Sequence, residues 1–104
     1  MLLQARVPLT CRYSVEVSGW DVSEEFFVEK SELEWNERSG KFVVLHRMLP
    51  EGAYVFVRLL QATPLEPSRP VAYAAHFECL RPGGQRQFRL TAVRPQTTQK
   101  TVSA

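Results

Sequence analysis

No stretch of this chain comes near the ~18 consecutive apolar residues that a membrane-spanning helix needs. The opening MLLQARVPLT has two leucines but neither a basic leader nor an apolar run of useful length. No secretory signal is therefore expected, and the cytoplasm is the expected compartment. Cysteine is scarce: Cys11 and Cys79 are too few for a disulfide framework and read as reduced thiols in a cytoplasmic protein. Histidine is as scarce, with His46 and His76 alone. The four together could make a Cys2His2 set on paper, but their spacing follows no zinc-ligand pattern, and no motif surrounds either cysteine to suggest a Cys–His nucleophile. Of five glycines none belongs to a phosphate-cradling loop, and Gly83-Gly84 reads as a hairpin turn. These absences argue against catalysis and against any intrinsic metal or other cofactor.

What is present is the composition of one small globular domain. The 104 residues are 44% apolar and 23% charged, enough for a single core. The net charge of +2 conceals an asymmetry. Between Glu16 and Glu37 there are eight acids and one base, Lys30, whereas from Arg81 onward there are five bases and no acid. A basic end could contact phosphates, and Arg86 and Arg89 beside Phe88, with Tyr54 and Phe56, outline a nucleic-acid-binding alternative. The favoured reading is plainer: acidic and basic strands pair across a sheet, and Phe88 is core. A dedicated nucleic-acid binder is usually more basic overall.

Strand signals run along the chain. Thr10–Val17 alternates, with Cys11, Tyr13, Val15 and Val17 facing one way and Thr10, Arg12, Ser14 and Glu16 the other. A turn is expected at Ser18–Asp21. Glu24–Trp35 can be drawn as a helix capped by Ser23, but Phe-Phe-Val prefers a pleated surface and a strand is favoured. That strand would set Phe27, Leu33 and Trp35 on one face and Phe26 and Val28 on the other. Further strands are expected at Phe42–Leu45, Ala53–Leu60, Val71–Leu80 with Phe77 and Cys79 inward, and Gln85–Val93 with Phe88, Leu90 and Ala92 inward. Turns fall at Asn36–Lys41, Leu49–Gly52 and Arg81–Gly84, and a proline-rich loop at Ala62–Pro70. The expected fold is all-β: a small six-stranded antiparallel β-barrel over residues 1–94, followed by a frayed tail over 95–104.

The order of these features resembles the PilZ domain, a six-stranded β-barrel of bacterial signalling proteins. The resemblance is carried by Arg6-Val7-Pro8-Leu9, Tyr13–Asp21, Phe27–Ser31, Asn36–Leu45 and the Leu49–Val55 turn and strand, and by layout it spans roughly residues 5–94. That family holds cyclic di-GMP through an R-x-x-x-R motif before the first strand and a (D/N)-x-S-x-x-G motif after the second. Guanidiniums grip phosphates and stack on guanine, a short polar side chain takes a guanine edge, and glycine permits the close turn. Here Arg6 matches the second arginine, but Leu2 stands four residues before it and Arg12 six after it. Aligned on Asn36, Arg38 stands where serine is expected and Lys41 where glycine is expected, which would put a side chain where a base stacks.

The resemblance therefore implies a non-enzymatic signalling barrel with cyclic di-GMP binding lost or weak, acting by protein–protein interaction. Arg6, Arg12, Asn36 and Arg38 are its ligand-site remnants, and a cationic rim of Arg6, Arg12 and Arg38 keeps a cyclic di-GMP receptor as the alternative. The residues themselves point to an interaction surface. Ala53–Leu60 is apolar on both faces, and Phe26 and Val28 lie opposite the Phe27 face. An exposed apolar strip rimmed by charge marks an interface. A symmetric homodimer is the simplest partner, with a different protein, or cover by the chain's own tail, as the alternatives.

Overall fold

Period-two alternation along six segments closes into a cylinder. The computed structural model describes residues 9–60 and 69–93. Its strands are β1 (Thr10–Trp20), β2 (Phe26–Asn36), β3 (Gly40–Leu45), β4 (Ala53–Leu59), β5 (Val71–Arg81) and β6 (Gln85–Ala92). Every pairing is antiparallel, and the order β1-β2-β3-β6-β5-β4 is closed by pairing β4 back onto β1. Closure gives every strand two neighbours, although β2 pairs with β3 only over Leu33–Asn36 and β5 with β4 only over Val71–Ala75. The expected all-β barrel is the observed one. The Glu24–Trp35 stretch is strand from Phe26 onward, and among the described residues no helix is long and apolar enough to cross a membrane. The Ala62–Pro70 loop up to Ser68, Arg6, and the tail from Arg94 lie outside the described residues.

Inward-facing residues fill the cylinder. Val15 and Val17 of β1, Phe27 and Leu33 of β2, Val43 and Leu45 of β3, Val55 and Val57 of β4, Ala75 of β5, and Phe88 and Leu90 of β6 are all buried. Leu49, from the β3–β4 connection, is buried with them. Fully burying one such aliphatic or aromatic side chain contributes about 1.5–3 kcal/mol.

Four expectations need correction. The turn expected at Ser18–Asp21 begins three residues later, because the strand, with its alternating burial, continues through Trp20. Asp21 starts the turn instead, its Oδ1 accepting the amides of Ser23 (2.8 Å) and Glu25 (3.0 Å). Gly19 serves a different need: a Cβ there would lie 3.1 Å from the carbonyl oxygen of Tyr54, so glycine lets β1 and β4 approach without displacing that backbone.

Cys79 is exposed rather than inward, and Cys11 is only half-buried. A β-bulge between Phe77 and Cys79 inserts one residue, so the pairing passes from Phe77↔Phe88 to Cys79↔Gln87 and the inward set inverts. Phe77, half exposed, keeps an edge-on contact with Phe88 at 5.8 Å between centroids. Ala92, also expected inward, is exposed at the last position of β6.

The acidic stretch is not neutralised by the basic C-terminal strand, because β3 lies between β2 and β6. Its partners come from the middle of the chain: Arg47 for Asp21 and Glu25, Arg58 for Glu16, and His46 for Glu29. Arg89 of β6 pairs instead with Glu78 of β5.

Candidate functional site

The β2–β3 turn carries two of the ligand-site remnants. Asn36 pairs with Gly40 across a three-residue loop, and Gly40 takes φ +99°, a conformation an L side chain rarely adopts. The glycine that this turn requires is therefore Gly40. Lys41 already belongs to β3 and sets its ammonium 5.0 Å from the centre of the Tyr73 ring. Asn36 Oδ1 accepts the backbone amides of Arg38 (2.8 Å) and Ser39 (3.0 Å), and its Nδ2 donates to Thr10 Oγ1 at 2.8 Å. Its polar atoms thus hold the loop and tie it to the start of β1, where Leu9 also exchanges hydrogen bonds with Glu37. Arg38 is exposed at the loop tip.

Arg12 stands across from Glu34, one diagonal step from Asn36 on the same outer face. It borders a shallow groove of ≈ 410 Å³ over β2, β3 and β6. Arg12, Lys30 and Arg81 line this groove together with Glu29, Glu32 and Glu34, so cations and anions balance. Such a floor does not concentrate phosphate. The structure brings Arg12, Asn36 and Arg38 to one end of the barrel without converging them on a common point.

The imidazoles sit apart from each other, each on a carboxylate. His46 Nδ1 lies 2.9 Å from Glu29 Oε2. His76 Nδ1 lies 2.6 Å from Glu51 Oε2, and its Nε2 lies 3.0 Å from Thr91 Oγ1. An ionised carboxylate can only accept, so Nδ1–H donates to Glu51, while the Thr91 hydroxyl can either donate to Nε2 or accept from it. The hydrogen bond from His76 holds the Glu51 carboxyl below its ordinary range. Among the described residues, His, Cys, Asp and Glu nowhere form a group of three that could hold a metal ion. Phe88 is 1% exposed and offers no ring face to a base, while Arg86 donates to the carbonyl of His46 at 2.6 Å.

Among the described residues a group of exposed apolar side chains shares one face. On the outer face of β2, β1 and β4, Phe26, Trp20 and Tyr54 are 54%, 55% and 59% exposed, and Val28 and Phe56 lie beside them at 55% and 38%. The strand register makes this one surface. Trp20 pairs with Phe26, and Ser18 lies between Val28 and Phe56. Trp20 and Phe26 meet edge-on with centroids 5.0 Å apart. No family model, curated protein or solved structure matches the chain.

Phe26 and Val28 were legible as outward residues, and Tyr54 and Phe56 as the second face of β4. Trp20 was not, because its segment read as a turn. Polarity gave no signal for it: after Val17 and Ser18 the apolar Trp20 faces outward and the polar Asp21 inward, so burial keeps its period of two while the polar–apolar pattern does not.

Proposed function

We propose that this chain is a PilZ-like, non-enzymatic signalling barrel that acts by protein–protein interaction, with cyclic di-GMP binding lost or weak. The observation that carries the reading is the apolar face of Trp20, Phe26, Val28, Tyr54 and Phe56. Half-exposed aromatics and a valine leave roughly 500 Å² of contiguous apolar surface, at the upper end of what a soluble monomer shows to water. Aromatic side chains of this kind anchor interfaces, since they lose little rotamer freedom for the area they cover. On the ligand side, the reading is supported by Asn36, whose polar atoms hold the loop, and by the balanced charge of the groove beside Arg12.

A photo-crosslinking side chain at Val28, compared with one at Glu32 two outward positions along β2, tests the reading in cells. A discrete protein adduct from position 28 and none from position 32 is the expected result. No adduct at either position, or equal adducts at both, refutes it.

A further inference from the structure

We infer that the partner of this face is a second copy of the same chain, bound face to face about a two-fold axis lying across the strands. This rests on the interaction reading above and specifies the occupant. The register arranges the outward residues in rungs about 6.6–6.8 Å apart along the strands. One rung holds Phe26, Trp20 and, one step past the Gly19↔Val55 pair, Tyr54; the next holds Val28, Ser18 and Phe56; the third holds Lys30, Glu16 and Arg58. Beyond the first rung lies the β1–β2 turn, with exposed Glu24 and Glu25.

An axis between the first and second rungs, lying in the interface and running across the strands, reverses the strand direction and keeps each strand over its own counterpart. It lays the Trp20 ring over the small Ser18 of the other copy, Phe26 over Val28, and Tyr54 over Phe56. At Trp20 over Ser18 and Phe26 over Val28 a larger side chain meets a smaller one, and each contact occurs twice, as an isologous interface requires. The same operation carries the third rung onto the turn. Lys30 of one copy then faces Glu24 of the other, twice in the dimer.

Charge follows that geometry. The third rung is net positive, because Glu16 hydrogen-bonds only Arg58 (2.9 Å) and leaves Lys30 without an ion-pair partner among the described residues. The turn is net negative, with Glu24 likewise unpaired and Glu25 3.6 Å from Arg47. A single strip with a cationic margin at one end and an anionic margin at the other is self-complementary only in the antiparallel arrangement. Sheets stacked this way cross at about 30°, which keeps the central rungs in register. The apolar strip of roughly 500 Å², enlarged by its charged rims, approaches the ~800 Å² per partner of a standard interface. Acidic groups at the turn also oppose docking on an anionic membrane.

Sedimentation equilibrium from roughly 1 to 300 µM tests the dimer. The unaltered chain is expected to show a monomer–dimer equilibrium, which Phe26→Glu abolishes. Lys30→Glu places like charges together twice and should weaken association about tenfold, and adding Glu24→Lys should restore it. Circular dichroism of each variant reports that the barrel is intact. A monomer throughout the range, or a dimer indifferent to Phe26→Glu and to the charge exchange, overturns the inference. The photo-crosslink separates this failure from that of the broader reading. An adduct of a different protein from position 28 removes the homodimer and leaves the interaction surface standing, whereas no adduct removes both.

Discussion

The Asp21 carboxylate meets the Arg47 guanidinium at 2.7 Å, so the β1–β2 turn is clamped to the β3–β4 connection 26 residues later. The other carboxylate oxygen accepts the Ser23 and Glu25 amides, and the Arg47 guanidinium also lies 5.6 Å from the Phe27 ring centre. Asp21 is the one buried charged residue among the described ones, at 7% exposure. Burial without these partners would be unfavourable; with them the charged form is favoured. This clamp positions the turn that carries Glu24 and the rung that carries Trp20 and Phe26.

The Glu25 amide, followed by Arg47, holds the Asp21 carboxyl below its ordinary value. Its contribution to stability is therefore complete above the unfolded carboxyl range and is lost as pH falls through the lower, folded value. Urea denaturation of the unaltered protein and of Asp21→Asn should show a stability gap that is constant from pH 7 to about pH 5 and narrows in stronger acid. A gap that stays constant into strong acid, or widens there, refutes the clamp.

Gly19 is buried, and a Cβ there would press on the Tyr54 carbonyl oxygen and meet Val55 Cγ1 at 3.4 Å. Backbone cannot yield as a flexible side chain does. Gly19→Ala should destabilise the barrel by about 1–3 kcal/mol, read as a lower urea midpoint at unchanged slope. Gly40→Ala fails differently: nothing lies within 4 Å of its Cβ position, and the strain comes from φ +99° alone.

Cyclic di-GMP should give no saturable heat by calorimetry at about 50 µM protein. Asn36 already holds the loop amides, Arg12 lies across from Glu34, and Lys41 extends over Tyr73. A dissociation constant of ~10 µM or tighter, lost on Arg6→Ala, would restore the receptor reading.

Sequence alone determined the fold class, because alternation has a period of two wherever one face of a strand is buried. Val15 and Val17, Phe27 and Leu33, and Phe88 and Leu90 were all legible as inward pairs, and Phe26 and Val28 as outward ones. Asn36 could be placed in a turn from its neighbours. Three things required the closed barrel. The bulge that turns Cys79 outward arises from matching β5 to β6, a long-range register that no local pattern encodes. The role of Gly19 depends on the approach of β4, which is distant in sequence, so its glycine signal was misread as a turn. The candidate interface exists only because closing β4 onto β1 sets Phe56 beside Ser18 and Val28, joining apolar residues of three strands into one surface. Strand faces are a local property of the chain, whereas a surface is made of neighbours that only tertiary pairing supplies.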